Sequence, residues 1–236
     1  MIATGGKAVY GASVGILMLE AQFPRILGDM GNALTWPFPV HYRVVRGASP
    51  DRVVRQGAPG LLADFIAAAQ GLVADGADGI TTNCGFLSLF QAELAAAVGV
   101  PVAASSLMQV AMVNRILPPG KRAGILTISA SSLTAAHLEK AGVPDGTPVG
   151  TTEGGAEFTR VILGDELSLD IEAARADNVE AAMRLKEMNP DLGAIVLECT
   201  NMIPYAADIR AAVGIPVFSM ESFVSWFQSG LCPRRF

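Results

Sequence analysis

The chain has 236 residues, of which 51% are hydrophobic and 17% charged, and its formal net charge is −5. This composition excludes a disordered chain and favours buried parallel sheets, while the acidic balance and three tyrosines argue against a nucleic-acid-binding groove. Three cysteines without a CxxC motif indicate free thiols in a reducing compartment, so we expect a cytoplasmic protein with a small-molecule partner.

The first half of the chain is predicted to alternate strands with helices. Strands are expected at 13–19, 40–46, 78–82 and 101–104, and helices at 60–74, 86–97 and 106–115. A long irregular segment, 20–39, separates the first two strands. Because loops of this length usually form lids or walls, an apolar wall is expected from Phe23, Trp36 and Phe38. The alternative is an ordered surface loop without chemistry.

The second half repeats this alternation. Strands are expected at 122–128, 147–151, 193–198 and 216–219, and helices at 131–141, 155–163, 170–188, 203–213 and 221–229. Pro118-Pro119-Gly120 is a linker signal between the halves. Strands that alternate with helices predict βαβ units and parallel sheets.

A mean hydropathy of +0.41 raises the question of a membrane span. The uncharged run Leu94 to Asn114 is long enough, but the turn at Gly99-Val100-Pro101 and the Ser105-Ser106 pair divide it. No membrane association is therefore expected.

One segment occurs twice in the chain. Positions 92–102 read AELAAAVGVPV and positions 207–217 read ADIRAAVGIPV, an offset of 115 residues that also separates Cys84 from Cys199. The apolar runs GITTN and AIVLE precede the two cysteines, so each cysteine is predicted to end a buried strand. The repeat predicts two pseudo-symmetric α/β half-domains that face each other across a cleft. We assign residues 1–104 with 217–236 to the first half and 105–216 to the second.

Both cysteines are expected where open α/β folds bind ligands, beyond the carboxyl ends of strands. A helix N-terminus there can bind a substrate carboxylate and lower the pKa of a thiol. Alternatively, both cysteines are small buried hydrophobic residues. Cys232 has no partner in the repeat and is interpreted as structural.

Other polar residues give weaker signals. Three hydroxyls at strand-to-helix turns either cap helices or line the cleft, namely Ser106, Thr127 and Ser132. His137 is interpreted as a surface residue, and His41 has no cysteine or aspartate at metal-ligand spacing, so no metal site is expected.

The motifs TTNCGF and ECTNMIPY resemble the paired cysteine motifs of the aspartate/glutamate racemase superfamily. The stretches GILMLEAQFP, GDMGN and HYRVVRGA resemble a branch of it that includes the algal dimethylsulfoniopropionate lyases. The resemblance implies two flavodoxin-like domains, a cofactor-independent site between them, and Cys84 and Cys199 as its acid/base pair. It further implies that the substrate carboxylate contacts Asn83, Gly85, Thr200 and Asn201. A homo-oligomer is expected.

The leading functional hypothesis is a cofactor-independent racemase or epimerase of a small carboxylic acid such as an amino acid. One thiolate removes the α-proton and the opposite thiol donates a proton to the other face. A carbon–sulfur lyase that begins with the same proton abstraction is the alternative. A ligand-binding or redox dithiol protein without turnover is the remote alternative.

Overall fold

The computed structural model describes residues 2–234 and contains two four-stranded parallel sheets. The first sheet is formed by β1 (Val14–Leu19), β2 (Val40–Val45), β3 (Gly79–Thr82) and β4 (Val102–Ala103). The second is formed by β5 (Arg122–Thr127), β6 (Val149–Thr151), β7 (Leu192–Leu197) and β8 (Val217–Phe218). Their strand orders, β2-β1-β3-β4 and β6-β5-β7-β8, are equivalent. The predicted fold class, two α/β halves with flavodoxin-like parallel sheets, is therefore confirmed.

Helices flank both sheets. They are α1 (Pro50–Val54), α2 (Leu62–Asp75), α3 (Gln91–Val98), α4 (Gln109–Ile116), α5 (Ala135–Lys140), α6 (Phe158–Gly164), α7 (Ile171–Met188), α8 (Ala206–Val213) and α9 (Met220–Leu231). The sequence did not predict α1, because five residues are too few to display a helical period. Within residues 2–234, no helix combines the length and the apolar character that crossing a bilayer requires.

Three of the expected helices begin as 3₁₀ helices. Gly85–Phe90 precedes α3, Ser106–Met108 precedes α4, and Thr200–Tyr205 precedes α8. The chain must turn sharply after each strand, and the tighter 3₁₀ winding makes this turn in few residues. The two cysteines are the cap residues of the first and third of these helices. Each thiol therefore lies at a strand end, as the repeat predicted.

The helix that follows the last strand of each sheet packs on the other sheet. Helix α4 follows β4 of the first sheet, yet Val110 and Val113 pack with Ile125 of the second sheet. Helix α9 follows β8 of the second sheet, yet its residues 223 and 224 pack with Val14 and Ile16 of the first sheet. The chain thus crosses between the halves in both directions.

The position of β8 corrects one domain boundary. We expected the second half to end at residue 216, but Val217 and Phe218 pair with Ile195 and Val196 of β7. The crossing comes after β8, where Gln109 Nε2 donates to the carbonyl of Ser219 at 3.0 Å. Strand β8 therefore belongs to the second sheet, and the rest of the division remains an interpretation.

Candidate active site

The two cysteines meet in a nearly closed pocket between the halves. Cys84 follows β3, Cys199 follows β7, and both line a cavity of about 20 Å³. Their residues are 8% and 7% exposed. A cavity of this size holds about one water molecule. The structure therefore brings together the two thiols that the repeat singled out, in a pocket too small for an amino acid.

Hydrogen bonds hold the polar neighbours of the cysteines in place, and the bond between Thr200 and Asn83 links the two halves. The Asn83 side chain accepts the Leu19 N–H at 2.8 Å, and the Asn83 carbonyl accepts the Thr200 hydroxyl at 2.6 Å. Cys199 Sγ donates to Asn201 Oδ1 at 3.5 Å. Asn83, Gly85 and Asn201 line the pocket.

Four of the predicted site residues do not line the pocket. Thr200 is turned to Asn83, and Ser106 Oγ donates to the carbonyl of Leu197 at 2.6 Å. The Thr127 hydroxyl donates to the carboxylate of Glu198 at 2.7 Å. Ser132 lies apart, where Ser129 Oγ donates to its hydroxyl at 2.9 Å. The hydroxyls of Thr200, Ser106 and Thr127 bond to residues at the ends of strands. None of the four hydroxyl residues lines the pocket.

An apolar wall closes the rest of the pocket. It is formed by Leu19, Phe23, Pro50, Val54, Phe86, Ile128, Ile162 and Leu163. Of the three aromatic residues expected to form a wall, only Phe23 lies there. Trp36 and Phe38 instead pack in the core on the other face of the first sheet. The Trp36 indole is held there by a hydrogen bond that it donates to the hydroxyl of Tyr42 at 3.0 Å.

The segment 20–39 is fastened to both halves. In the second half, Asp165 at the end of α6 accepts the N–H groups of Gln22 and Phe23 at 2.6 and 3.1 Å. Within the segment, Asp29 accepts from the Arg25 guanidinium at 2.9 Å and from the Asn201 amide. The segment is therefore ordered and attached beside Cys199, and its residue Phe23 forms part of the pocket wall.

The pocket contains a buried acid that the sequence analysis missed. Glu198 precedes Cys199, is 1% exposed, and accepts the hydroxyl of Thr127 at 2.7 Å. Burial raises the pKa of Glu198 to about 7, although hydrogen bonds from Thr127 and from the backbone of Ile128 lower it in part. The signal was present in the sequence, because AIVLE ends a buried strand with a charged residue.

The expected lowering of a thiol pKa is wrong for this structure. Burial raises the pKa of both cysteines well above its ordinary value, and the Glu198 carboxylate raises it further. The N–H groups of Phe86 and Leu87 lower the pKa of Cys84, but by less. The 3₁₀ helices that follow the cysteines are six residues long, so their dipoles do not compensate for lost hydration.

Two further expectations concern histidine and metals. His137 is 2% exposed rather than on the surface, because its ring packs edge-on against Phe86 at 5.0 Å and caps α5 through Thr134. Burial lowers the pKa of His137 to about 4. Among the described residues, no three His, Cys, Asp or Glu side chains lie together as metal ligands would.

Comparison with proteins of known sequence finds one group of relatives. The chain is 28% identical over 228 residues to a dimethylsulfoniopropionate lyase of Durusdinium sp. clade D, covering 93% of this chain and 75% of that protein. It is 30% identical over 224 residues to dimethylsulfoniopropionate lyase 3 of Emiliania huxleyi, covering 87% of this chain. The chain spans 56% of that second relative, little more than half. No family model matches the chain.

Comparison with solved structures finds the racemase fold. Glutamate racemase RacE1 of Bacillus anthracis matches with a TM-score of 0.62 at 15% identity, covering 93% of this chain and 81% of that one. A sulfate-bound variant of arylmalonate decarboxylase matches with a TM-score of 0.60 at 17% identity, covering 92% of each chain. The allantoin racemase of Pseudomonas fluorescens matches with a TM-score of 0.56 at 14% identity, covering 92% of this chain and 90% of that one. The chain therefore has the fold of the aspartate/glutamate racemase superfamily and is similar in sequence to the dimethylsulfoniopropionate lyases, as its cysteine motifs indicated.

Proposed function

We propose that the pocket removes a proton from the α-carbon of a small carboxylate, with Cys84 and Cys199 as the acid/base groups. The observation that carries this proposal is the meeting of two thiols, one from each half, in a single enclosed pocket. The thiols interact electrostatically, since ionisation of Cys84 would raise the pKa of Cys199. Two thiols that line one pocket are able to act on one substrate.

Racemisation or epimerisation is our first candidate because it uses both thiols. One thiolate takes the α-proton, and the opposite thiol then donates its proton to the other face of the planar carbanion. The roles reverse for the other enantiomer. In each turnover the thiols take one proton and donate one, so the number of protons on the protein does not change. Positioned proton transfer of this kind contributes about 10²–10⁴-fold to a rate.

Carbon–sulfur bond cleavage is the second candidate, and the sequence relatives favour it. The same carbanion expels a β-sulfonium group, which leaves with the electron pair of the C–S bond as a neutral sulfide. A propionate substrate becomes acrylate, and one proton remains on the thiol. This reaction requires only one thiol as base and releases one proton in each turnover.

Substrate entry requires the wall to move in either case, since an enclosed volume of about 20 Å³ excludes both kinds of substrate. The moving parts in this proposal are the segment that carries Phe23 and helix α6, which carries Ile162 and Leu163. In the open pocket, the substrate carboxylate is bound by the amides of Asn83 and Asn201 and by the backbone at Gly85. These contacts are expectations that ligand-bound structures can check.

Turnover in D₂O distinguishes the two candidates. The protein is incubated with a panel of amino acids and, separately, with dimethylsulfoniopropionate. Racemisation places deuterium at Cα of the inverted product without forming an alkene. Elimination releases dimethyl sulfide and acrylate without inversion. If neither deuterium exchange nor sulfide release exceeds that of a protein lacking both thiols, the proposed proton abstraction is contradicted.

A further inference from the structure

A third titratable group lines the pocket together with the two thiols. Glu198 is the chain neighbour of Cys199, and its Oε1 lies against Gly85, the chain neighbour of Cys84. A Cβ atom on residue 85 would overlap this oxygen, so the glycine provides the space that the carboxyl group occupies. The other oxygen accepts the hydroxyl of Thr127 at 2.7 Å, which fixes the carboxyl group in this position.

The Glu198 carboxyl group is buried without a counter-ion among residues 2–234. Within residues 2–234, Glu198 takes part in no ion pair, although it is 1% exposed. The other titratable groups that line its pocket are the two thiols. Beyond Asn201 lie Asp29, which raises the pKa of Cys199, and Arg25, which lowers that of Cys84. A buried carboxylate without a cation is costly, so Glu198 favours its protonated form and readily takes up a proton.

We propose that Glu198 is the proton acceptor for the two thiols, so that the pocket works with three titratable groups rather than two. The S–H bond of a cysteine breaks, its proton forms an O–H bond with the carboxylate, and the thiolate then takes the α-proton of the substrate. One negative charge is thus shared among the three groups. The proposal deepens the proposed function and rests on it.

A shared acceptor suits both candidate reactions. In racemisation, either thiol must become the base, and one carboxylate in the same pocket serves both directions. In elimination, the abstracted proton must leave the buried thiol before the next turnover. Glu198 accepts that proton and passes it to solvent when the pocket opens.

The first test requires no substrate. The rates at which iodoacetamide alkylates Cys84 and Cys199 are followed by mass spectrometry between about pH 5 and pH 10. In the wild type, ionisation of Glu198 near pH 7 slows the rise of the alkylation rate with pH, so the profile has an inflection there. Glu198→Gln keeps the size of the side chain and removes the repelling charge. We expect a profile without this inflection and alkylation about tenfold faster at about pH 9.

The second test is turnover of whichever substrate the D₂O screen identifies. Although its thiols are more acidic, Glu198→Gln should lower kcat about 100-fold and change KM less than about threefold. Glu198→Asp, which retains the acid, should recover part of kcat. Glu153→Gln is the matched control, because its carboxyl also accepts a serine hydroxyl, Ser129 at 2.7 Å, but lies outside the pocket.

The outcomes separate this inference from the proposed function. An alkylation profile that is identical in wild type and Glu198→Gln contradicts the shared proton. A kcat that is unchanged or raised in Glu198→Gln assigns Glu198 a purely electrostatic effect and also contradicts it. An equal loss in Glu153→Gln makes the effect unspecific and overturns the assignment. Absence of all turnover in the wild type contradicts the proposed function, whereas the alkylation result still decides the coupling.

Discussion

Desolvation governs the three titratable groups of the pocket. Cys84, Cys199 and Glu198 are each less than 9% exposed, and for each of them burial is the largest cause of a raised pKa. All three groups are therefore held in their neutral, protonated forms more strongly than in water. A thiolate can form only when a neighbouring group takes its proton or when the pocket opens and hydrates it.

Replacing either pocket cysteine tests the two-thiol proposal. Cys84→Ser and Cys199→Ser should each lower racemisation at least about 100-fold, because an alcohol is a far weaker acid than a thiol. Cys232→Ser is the control, since that thiol is exposed and outside the pocket, and it should remain near wild type. Substantial racemisation by either pocket variant would contradict the assignment of one thiol to each face.

Glu198 should also reduce stability above neutral pH. Its pKa rises from 4.5 when unfolded to about 7 when folded, so the folded state binds more protons and loses stability as pH rises through this range. A shift of this size corresponds to about 3 kcal/mol. Glu198→Gln should therefore raise the free energy of unfolding by up to that amount at pH 8 and change it little near pH 4, as measured by urea denaturation. An equal effect at both pH values would contradict the raised pKa.

At the scale of elements, the end of α6 connects two parts of the pocket wall. Asp165 adopts a left-handed conformation, with φ 53°, and its carboxylate accepts the two N–H groups that hold the start of segment 20–39. The same helix contributes Ile162 and Leu163 to the apolar wall. One residue thus fastens two parts of the wall to each other.

Loosening this contact should expose the thiols. Asp165→Gly keeps the left-handed backbone favourable but removes the acceptor, so we expect iodoacetamide to alkylate Cys84 and Cys199 about tenfold faster. Asp165→Asn is the matched control, because asparagine also tolerates positive φ and retains an acceptor oxygen. Unchanged alkylation in Asp165→Gly would show that the wall opens elsewhere.

The sequence predicted the strands better than the site. Strand β7 and Cys199 were recognisable because a buried parallel strand leaves a continuous apolar run, and the repeat located Cys84. The inward position of Glu198 was missed because its burial depends on the missing side chain at Gly85, a contact between residues 113 positions apart. His137 was misplaced for the same reason, since the ring of Phe86 that covers it belongs to the other half of the chain.

At the scale of the whole molecule, the two sheets share one core. The largest cluster of buried apolar residues joins Leu17 and Phe65 of the first half to Leu126 and Ile195 of the second. Because the pocket lies inside this cluster, opening the pocket separates only part of the contact between the two sheets. The expectation of a homo-oligomer concerns surfaces outside this core and remains a prediction.

A shared core predicts one unfolding transition. Differential scanning calorimetry should give a single peak with equal calorimetric and van't Hoff enthalpies, of roughly 165 kcal/mol for a chain of this length. Leu126→Ala, which leaves a cavity in the shared core, should lower the midpoint of the transition without splitting the peak. Two resolved transitions would show that the halves unfold independently.

The crossing of α4 and α9 bears on how such a chain arose. A single ancestral copy, with four strands, the helices between them and one helix after the last strand, would leave a sheet face uncovered, because that last helix packs on the neighbouring sheet. Two such copies would form a domain-swapped dimer with one cysteine from each on opposite sides of the symmetry axis. Fusion near Pro118-Pro119-Gly120 would turn that dimer into a chain with the present topology. Once the copies are joined, each thiol and its surroundings are free to specialise independently, as the single Glu198 beside an otherwise duplicated pair illustrates.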